Sequence, residues 1–347
     1  SLALQDSTLS KRGNLRAAKP HEIWIKLSAD LRIGVVGVGF WGRNHLRVLK
    51  ELGIQVSAIC DVSRERALKI SREYGIERFY TSLDEMLRKE KLDAVTICTP
   101  SVTHSDCAVK ALESGLHTFV EKPLASTVDE CLRIIDAMNS SNRIVMTGFI
   151  ERFNPAVMKA MELLEAGEMG DVIMLHGRRI GWWPERIGDV GVVKDTAIHD
   201  IDLTRFFFRQ DPVQVYARGG RYVHKLEDHV QSILTFEDHS KTAFIEANWL
   251  TPRKKREMTI TGSNGVLSIR FLSQELILEK ADIVIEPIIK QREPLKLELQ
   301  HFIECISTGK RPLADAVDGL KAVAIAEAIL ESMEKEKIVE IDLKSLI

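Results

Sequence analysis

The stretch Arg32 to His45 reads Arg-Ile-Gly-Val-Val-Gly-Val-Gly-Phe-Trp-Gly-Arg-Asn-His and restricts the fold more than any other part of the chain. The apolar run Leu31 to Val36 has the continuity of a strand buried on both faces. Arg43 to Leu52 then repeats apolar residues at helical spacing (Leu46, Leu49, Leu52) before Gly53, a C-cap candidate. Between them lies Gly37-x-Gly39-x-x-Gly42, in which each glycine has its own task. Gly37 allows the sharp turn, Gly39 lets a pyrophosphate approach the main chain, and Gly42 lets the helix pack closely on the strand with its N-terminus facing the phosphates. A second apolar run, Ile54 to Cys60, ends in Asp61, about 20 residues past the last glycine, where a carboxylate accepts bonds from the adenosine ribose. That carboxylate repels a 2'-phosphate, so NAD is expected before NADP, although Arg64 could pair with a phosphate.

Beyond Asp61 the chain alternates regularly between helical and strand-like segments. A helix from Ser63 to Tyr74 stops at Gly75, Ser82 to Glu85 has capping-box spacing, and Leu92 to Thr99 is a further buried strand. A helix closing at Gly115, a strand from Leu116 to Val120, a second capping box at Thr127 to Glu130 and a last strand from Arg143 to Phe149 complete the series. Such alternation predicts a doubly wound parallel sheet, whose ligands bind beyond the carboxyl ends of the strands, here Gly37, Asp61, Thr99 and Glu121. From Asp171 the pattern changes to strand-like runs with few helices between them: 172 to 179, 213 to 218, 230 to 236, 242 to 250 and 257 to 261. These predict a mostly antiparallel sheet with an open face, and helices follow at 299 to 307 and 318 to 333. The fold class is thus α/β, with an N-terminal Rossmann domain at 31–149 and a second α/β domain at 150–347. Residues 1–30 are polar, basic and irregular, and read as a leader outside the fold.

A chain of 347 residues with 45% hydrophobic content can bury the cores of two such domains. Forty-eight basic against 50 acidic residues leave a formal charge of -2, which gives no footprint for nucleic acid or an anionic membrane. No run approaches the roughly 18 apolar residues that span a bilayer. Cys60, Cys98, Cys107, Cys131 and Cys305 form no C-x-x-C pair and fit a reducing cytoplasm. Asp195, His199 and Asp202 stand at i, i+4 and i+7 of a helical segment and so share one face, a spacing that also admits a metal. The metal reading ranks below hydride chemistry, because hydride transfer with a lysine needs none. Trp182, Trp183 and Trp249 read as core or interface aromatics before they read as stacking platforms.

Taken together, the glycine turn, Asp61, Thr99-Pro100 with His104, Glu121-Lys122-Pro123 and Asp195-x-x-x-His199 resemble the Gfo/Idh/MocA oxidoreductases over about residues 31 to 340. The resemblance implies a bound nicotinamide cofactor and a sugar, polyol or nucleotide-sugar substrate. It also implies a homodimer or homotetramer built through the open sheet. Phe40 and Trp41, inside the turn, join Gly37, Gly39, Gly42, Asp61, Thr99, Pro100, His104, Glu121 and Lys122 as expected cofactor contacts. The segments Gly148 to Pro155 and Trp183 to Asp195 resemble the UDP-N-acetylglucosamine 3-dehydrogenase branch. Oxidising a secondary alcohol needs a hydride acceptor above the carbon and a base for the hydroxyl proton. The resemblance assigns proton handling to His199 with Lys122, the tuning of that imidazole to Asp195, and substrate contacts to Arg152, Asn154 and Asp202. The expected reaction is NAD-dependent oxidation of a UDP-N-acetyl-hexosamine at C3 to a 3-keto sugar. The alternatives are a free-sugar or inositol dehydrogenase and, in another class, a non-catalytic dinucleotide-binding regulator, against which the intact Lys122 and His199 argue.

Overall fold

The computed structural model describes residues 31–183 and 188–346, and the leader expected at 1–30 lies outside the described residues. The first apolar run forms β1 (Arg32–Val36), followed by β2 (Gln55–Cys60), β3 (Phe79–Tyr80), β4 (Ala94–Ile97), β5 (His117–Glu121) and β6 (Val145–Gly148). They make a parallel six-stranded sheet in the order β3-β2-β1-β4-β5-β6, which reverses direction between β1 and β4 and leaves a crevice there.

The connecting helices are α1 (Phe40–Glu51), α2 (Arg64–Tyr74), α3 (Leu83–Lys89), α4 (His104–Glu113) and α5 (Val128–Ser141). Local chemistry sets their ends. The Ser63 hydroxyl accepts the Arg66 N–H at the start of α2 and Gly75 closes it in the left-handed region, while Thr127 and Glu130 form a reciprocal capping box on α5. Helix α1 begins at Phe40, earlier than its apolar spacing suggests, because the glycine turn itself runs into the first helical turn. At Gly37, with φ of 81°, a Cβ would lie 2.8 Å from the Cys98 carbonyl, and at Gly42 it would lie 1.9 Å from the Gly37 oxygen. No larger residue fits either place without moving the backbone.

The second sheet is wider than the sequence runs suggest. It contains β7 (Val172–Trp182), β8 (Gln214–Gly220), β9 (His229–Thr235), β10 (Thr242–Asn248), β11 (Leu250–Gly262), β12 (Gly265–Arg270), β13 (Glu275–Glu279), β14 (Val284–Ile285) and β15 (Val339–Glu340). The order is β14-β13-β12-β11-β7-β10-β9-β8-β15, with antiparallel neighbours throughout except the parallel pair of β7 and β10. Period-two alternation buries Val230, Ser232 and Leu234 of β9 and exposes Gln231 and Ile233. One face is covered by α6 (Pro155–Glu165), α7 (Ile198–Phe208) and, beyond α8 (Pro294–Thr308), by α9 (Ala316–Lys335). Helix α6 adds to the elements expected from sequence, with Asn154 as its cap and Pro155 in its first turn.

Helix α8 follows β14 in the chain but packs on the first sheet. Its Leu295, Leu299, Phe302 and Ile303 are buried with Ile33, Val35, Phe119 and Met146 of the first sheet. Among the described residues no helix is long and apolar enough to cross a membrane.

Candidate active site

A cleft of about 1040 Å³ opens at the carboxyl ends of β1, β2, β4 and β5. Gly37, Gly39, Phe40 and Trp41 form its floor at the mouth of α1, and Asp61, Thr99, Pro100 and Glu121 stand at the other strand ends. Gly42 lies beneath, where it permits the turn. The backbone suits a dinucleotide in two ways. No atom lies within 4 Å of where a Cβ at Gly39 would be, and α1 opens on that glycine without a side-chain cap, so the helix terminus is left to receive a pyrophosphate.

Asp61 is buried and firmly held. Its carboxylate accepts the Val38 N–H at 3.0 Å and the Ser63 N–H at 2.9 Å. The cation beside it is Arg66, 3.2 Å from both oxygens, and not the Arg64 considered from sequence. The arginines stand two positions apart on α2, so their side chains leave the helix in different directions, and that of Arg66 reaches the carboxylate. His104 also lines the cleft, but its ring nitrogens lie 2.8 Å from the Pro123 carbonyl and 2.9 Å from the Thr99 carbonyl. Burial lowers its pKa more than these carbonyls raise it, and the neutral ring donates to one of the two carbonyls between which it is wedged. Glu121 accepts from Lys122 N–H and lies 3.0 Å from His45 Nε2.

Lys122 and Asp195 meet on the same wall. The Lys122 ammonium donates to Asp195 Oδ1 at 2.6 Å and to the Asp195 carbonyl at 2.7 Å, with both side chains at least nine-tenths buried. Asp195 sits in a single π turn, Val193–Ala197, that leads into α7. His199, 8% exposed, follows in the first turn of α7. Wide turns of this kind recur at functional sites because they redirect side chains without ending a helix.

Asp195 lines the cleft, whereas Asp202, later in α7, does not. Asp202 faces away from the cleft and receives both prongs of Arg152, at 2.6 and 2.8 Å. Arg152 also donates to Asp318 and to the Leu313 carbonyl. Burial pushes the Asp202 carboxyl up against the pull of Arg152. Asn154 caps α6 and donates to Glu151 and to the Phe271 carbonyl. Arg152, Asn154 and Asp202, the expected substrate contacts, make framework bonds here, with their polar atoms buried toward α9, α6 and the turn that follows β12. Among the described residues no three His, Cys, Asp or Glu side chains are grouped to hold a metal ion.

Three participants escaped the sequence reading, and a fourth, Trp249, was read there as a core or interface aromatic. Besides Arg66, Asp189 reaches across from the second domain to accept the Ser101 N–H at 2.8 Å and hydroxyl at 2.6 Å. Thr196 and Trp249 lie against Asp195: the Trp249 indole donates to the Thr196 hydroxyl at 2.8 Å, and that hydroxyl donates to Asp195 Oδ2 at 3.0 Å. Only Thr196 carried a local signal, as the polar neighbour of Asp195.

A glycine turn at the switch point of a parallel sheet, beside a strand-end carboxylate and a lysine–aspartate pair, defines a dinucleotide-dependent oxidoreductase. Comparison with known proteins makes this particular. The model for the oxidoreductase family with an NAD-binding Rossmann fold matches residues 31–149, the GFO/IDH/MocA C-terminal domain model matches 157–268, and the chain belongs to the Gfo/Idh/MocA family. It is 29% identical to scyllo-inositol 2-dehydrogenase (NAD(+)) of Bacillus subtilis strain 168, over 91% of this chain and 97% of that one. It is 27% identical to UDP-N-acetylglucosamine 3-dehydrogenase of Acidithiobacillus ferrooxidans, whose solved structure superposes with a TM-score of 0.81 over 88% of this chain and 98% of that one. A levoglucosan dehydrogenase solved with NADH shares the fold at 22% identity and a TM-score of 0.82, over 90% of this chain and 99% of that one. The chain is an oxidoreductase that acts on CH–OH donors with NAD.

Proposed function

We propose that the chain oxidises a UDP-N-acetyl-hexosamine at C3, passing the carbon-bound hydrogen as hydride to NAD and releasing the 3-keto sugar. The observation that carries the chemistry is the Lys122–Asp195 pair on the cleft wall. Bound NAD supplies the hydride acceptor. Two of the three Lys122 ammonium hydrogens are directed at Asp195, which leaves the third for the reacting oxygen. As an ammonium, Lys122 steadies the charge that develops there, and the hydroxyl proton passes to the His199 imidazole. Asp195 fixes where Lys122 points. The nucleotide-sugar substrate is supported by likeness in both sequence and structure to the Acidithiobacillus enzyme over nearly its whole length. An inositol is the second reading, favoured by the 29% identity to the Bacillus enzyme. The open face of the second sheet takes a second copy of the chain.

Reduced-nicotinamide absorbance, followed with NAD and a panel of UDP-sugars, free sugars and inositols, tests this reading. A signal with UDP-N-acetylglucosamine is the expected result. A signal with inositols alone overturns the substrate but keeps the site, and silence across the panel with NAD still bound overturns turnover in favour of a regulator.

A further inference from the structure

The Asp195 side chain needs an anchor if it is to aim Lys122, because rotation about the terminal bond of an aspartate has a broad, shallow profile. The structure supplies one from the far side. An indole N–H can only donate, so where Trp249 meets Thr196 at 2.8 Å the threonine oxygen must accept. The hydroxyl has one hydrogen, and it is then directed at Asp195 Oδ2, 3.0 Å away. The opposite oxygen, Oδ1, is the one that Lys122 meets at 2.6 Å. Bond direction along the chain Trp249, Thr196, Asp195, Lys122 is therefore fixed by donor and acceptor identity alone.

Trp249 is itself immobilised. It is 3% exposed, its backbone N–H donates to the Asp228 carbonyl, and its ring meets Trp183 edge-on at 4.5 Å. Trp183 stacks on His224 at 3.8 Å, and Asp228 Oδ2 gathers the backbone N–H groups of Tyr222, Val223 and His224. A rigid aromatic stack on the second sheet thus holds one end of a hydrogen-bond chain whose other end is the cleft lysine.

We propose that Thr196 and Trp249 are positioning residues for the reaction, setting the rotation of the Asp195 carboxylate and through it the direction of the Lys122 ammonium. The inference rests on the roles proposed for Lys122 and Asp195. Its kinetic test uses the full-length chain and whichever substrate the panel identifies. T196V keeps the shape but removes the hydroxyl, and is expected to lower kcat roughly tenfold or more while KM and the NAD dissociation constant stay within about twofold. T196S restores the hydroxyl and most of kcat, and W249F gives an intermediate loss. Wild-type kcat in T196V, or T196S as impaired as T196V, overturns the proposal. A second measurement needs no substrate: the ¹⁵N-resolved Trp249 indole N–H signal is expected to exchange slowly with solvent in the wild type and T196S and rapidly in T196V. Equal protection in T196V and wild type overturns the bonded chain itself, whatever the substrate proves to be.

Discussion

We propose that Asp61 sets cofactor choice in a way that depends on Arg66. The carboxylate stands at the end of β2, where a ribose is expected, and also pairs with Arg66, a guanidinium that could greet a phosphate. Asp61→Ser should therefore act twice, removing a repulsion and releasing a cation. The ratio of kcat/KM for NADP to that for NAD is expected to rise roughly ten- to a hundredfold, and adding Arg66→Ala should return most of that gain. No rise in the ratio for the single variant would show that Asp61 does not govern the choice. Lys122 carries a separate expectation. Lys122→Met should lose about 10²- to 10⁴-fold in kcat and keep NAD affinity within about threefold by calorimetry, whereas normal turnover would remove Lys122 from the chemistry. These residues were legible because their signals are local: three glycines at fixed spacing, an acid at the end of the next strand, a lysine before a proline. The bonds that hold Arg152 and Asn154 were not legible, because their partners on Asp318, Leu313 and Phe271 lie far away in sequence. A buried arginine fork and a substrate-binding one look alike until the partner is placed.

Elements follow the same division. Caps written into adjacent residues, such as Thr127 with Glu130, marked helix starts correctly, while β11 through its Pro252 and basic run looked unlike a strand and is fixed by pairing with β7 across an irregular register. The π turn before α7 left no sequence mark, since it reflects how Asp195 and its neighbours are held from outside. Helix α8 carries a consequence of its packing. Its Glu298 is fully buried within the apolar face that covers the first sheet, and neither oxygen has a hydrogen-bond partner among the described residues. Burial, reinforced by the nearby carboxylates of Glu121, Glu151 and Asp202, pushes its pKa well above the usual carboxylate range. A carboxyl group whose folded pKa is raised binds its proton more tightly in the native state than in the unfolded one. Its contribution is fully present below the ordinary carboxylate value and is lost as pH climbs through the folded value. Glu298→Gln removes that ionisation, so the variant should gain melting temperature relative to wild type, little at about pH 5 and progressively more towards about pH 8. A difference that stays flat across this range would mean that Glu298 does not titrate on unfolding.

At the scale of the whole molecule, the two sheets solve opposite problems. The first is covered by helices on both faces, as a parallel sheet must be, and α8 returns from the end of the chain to finish that cover. The second is covered on one face only. On the other, Met174 is 49% exposed and Ile233 45%, and with His176, Phe244 and Thr259 they line a shallow hollow of about 450 Å³. We propose that this apolar surface is an interaction site, which a second copy presenting the same surface about a two-fold axis would cover. Ile233 sits in the middle of β9, so near such an axis a charge placed there would face its own copy in the partner and repel it. Light scattering on the eluting protein is expected to give at least twice the single-chain mass for wild type and one chain for Ile233→Asp. Because the side chain is already half-exposed in the single chain, the fold itself should survive the change, with an unaltered circular dichroism spectrum. A wild-type mass equal to one chain would remove the second copy from the reading, and an Ile233→Asp assembly of unchanged mass would move the contact to another face.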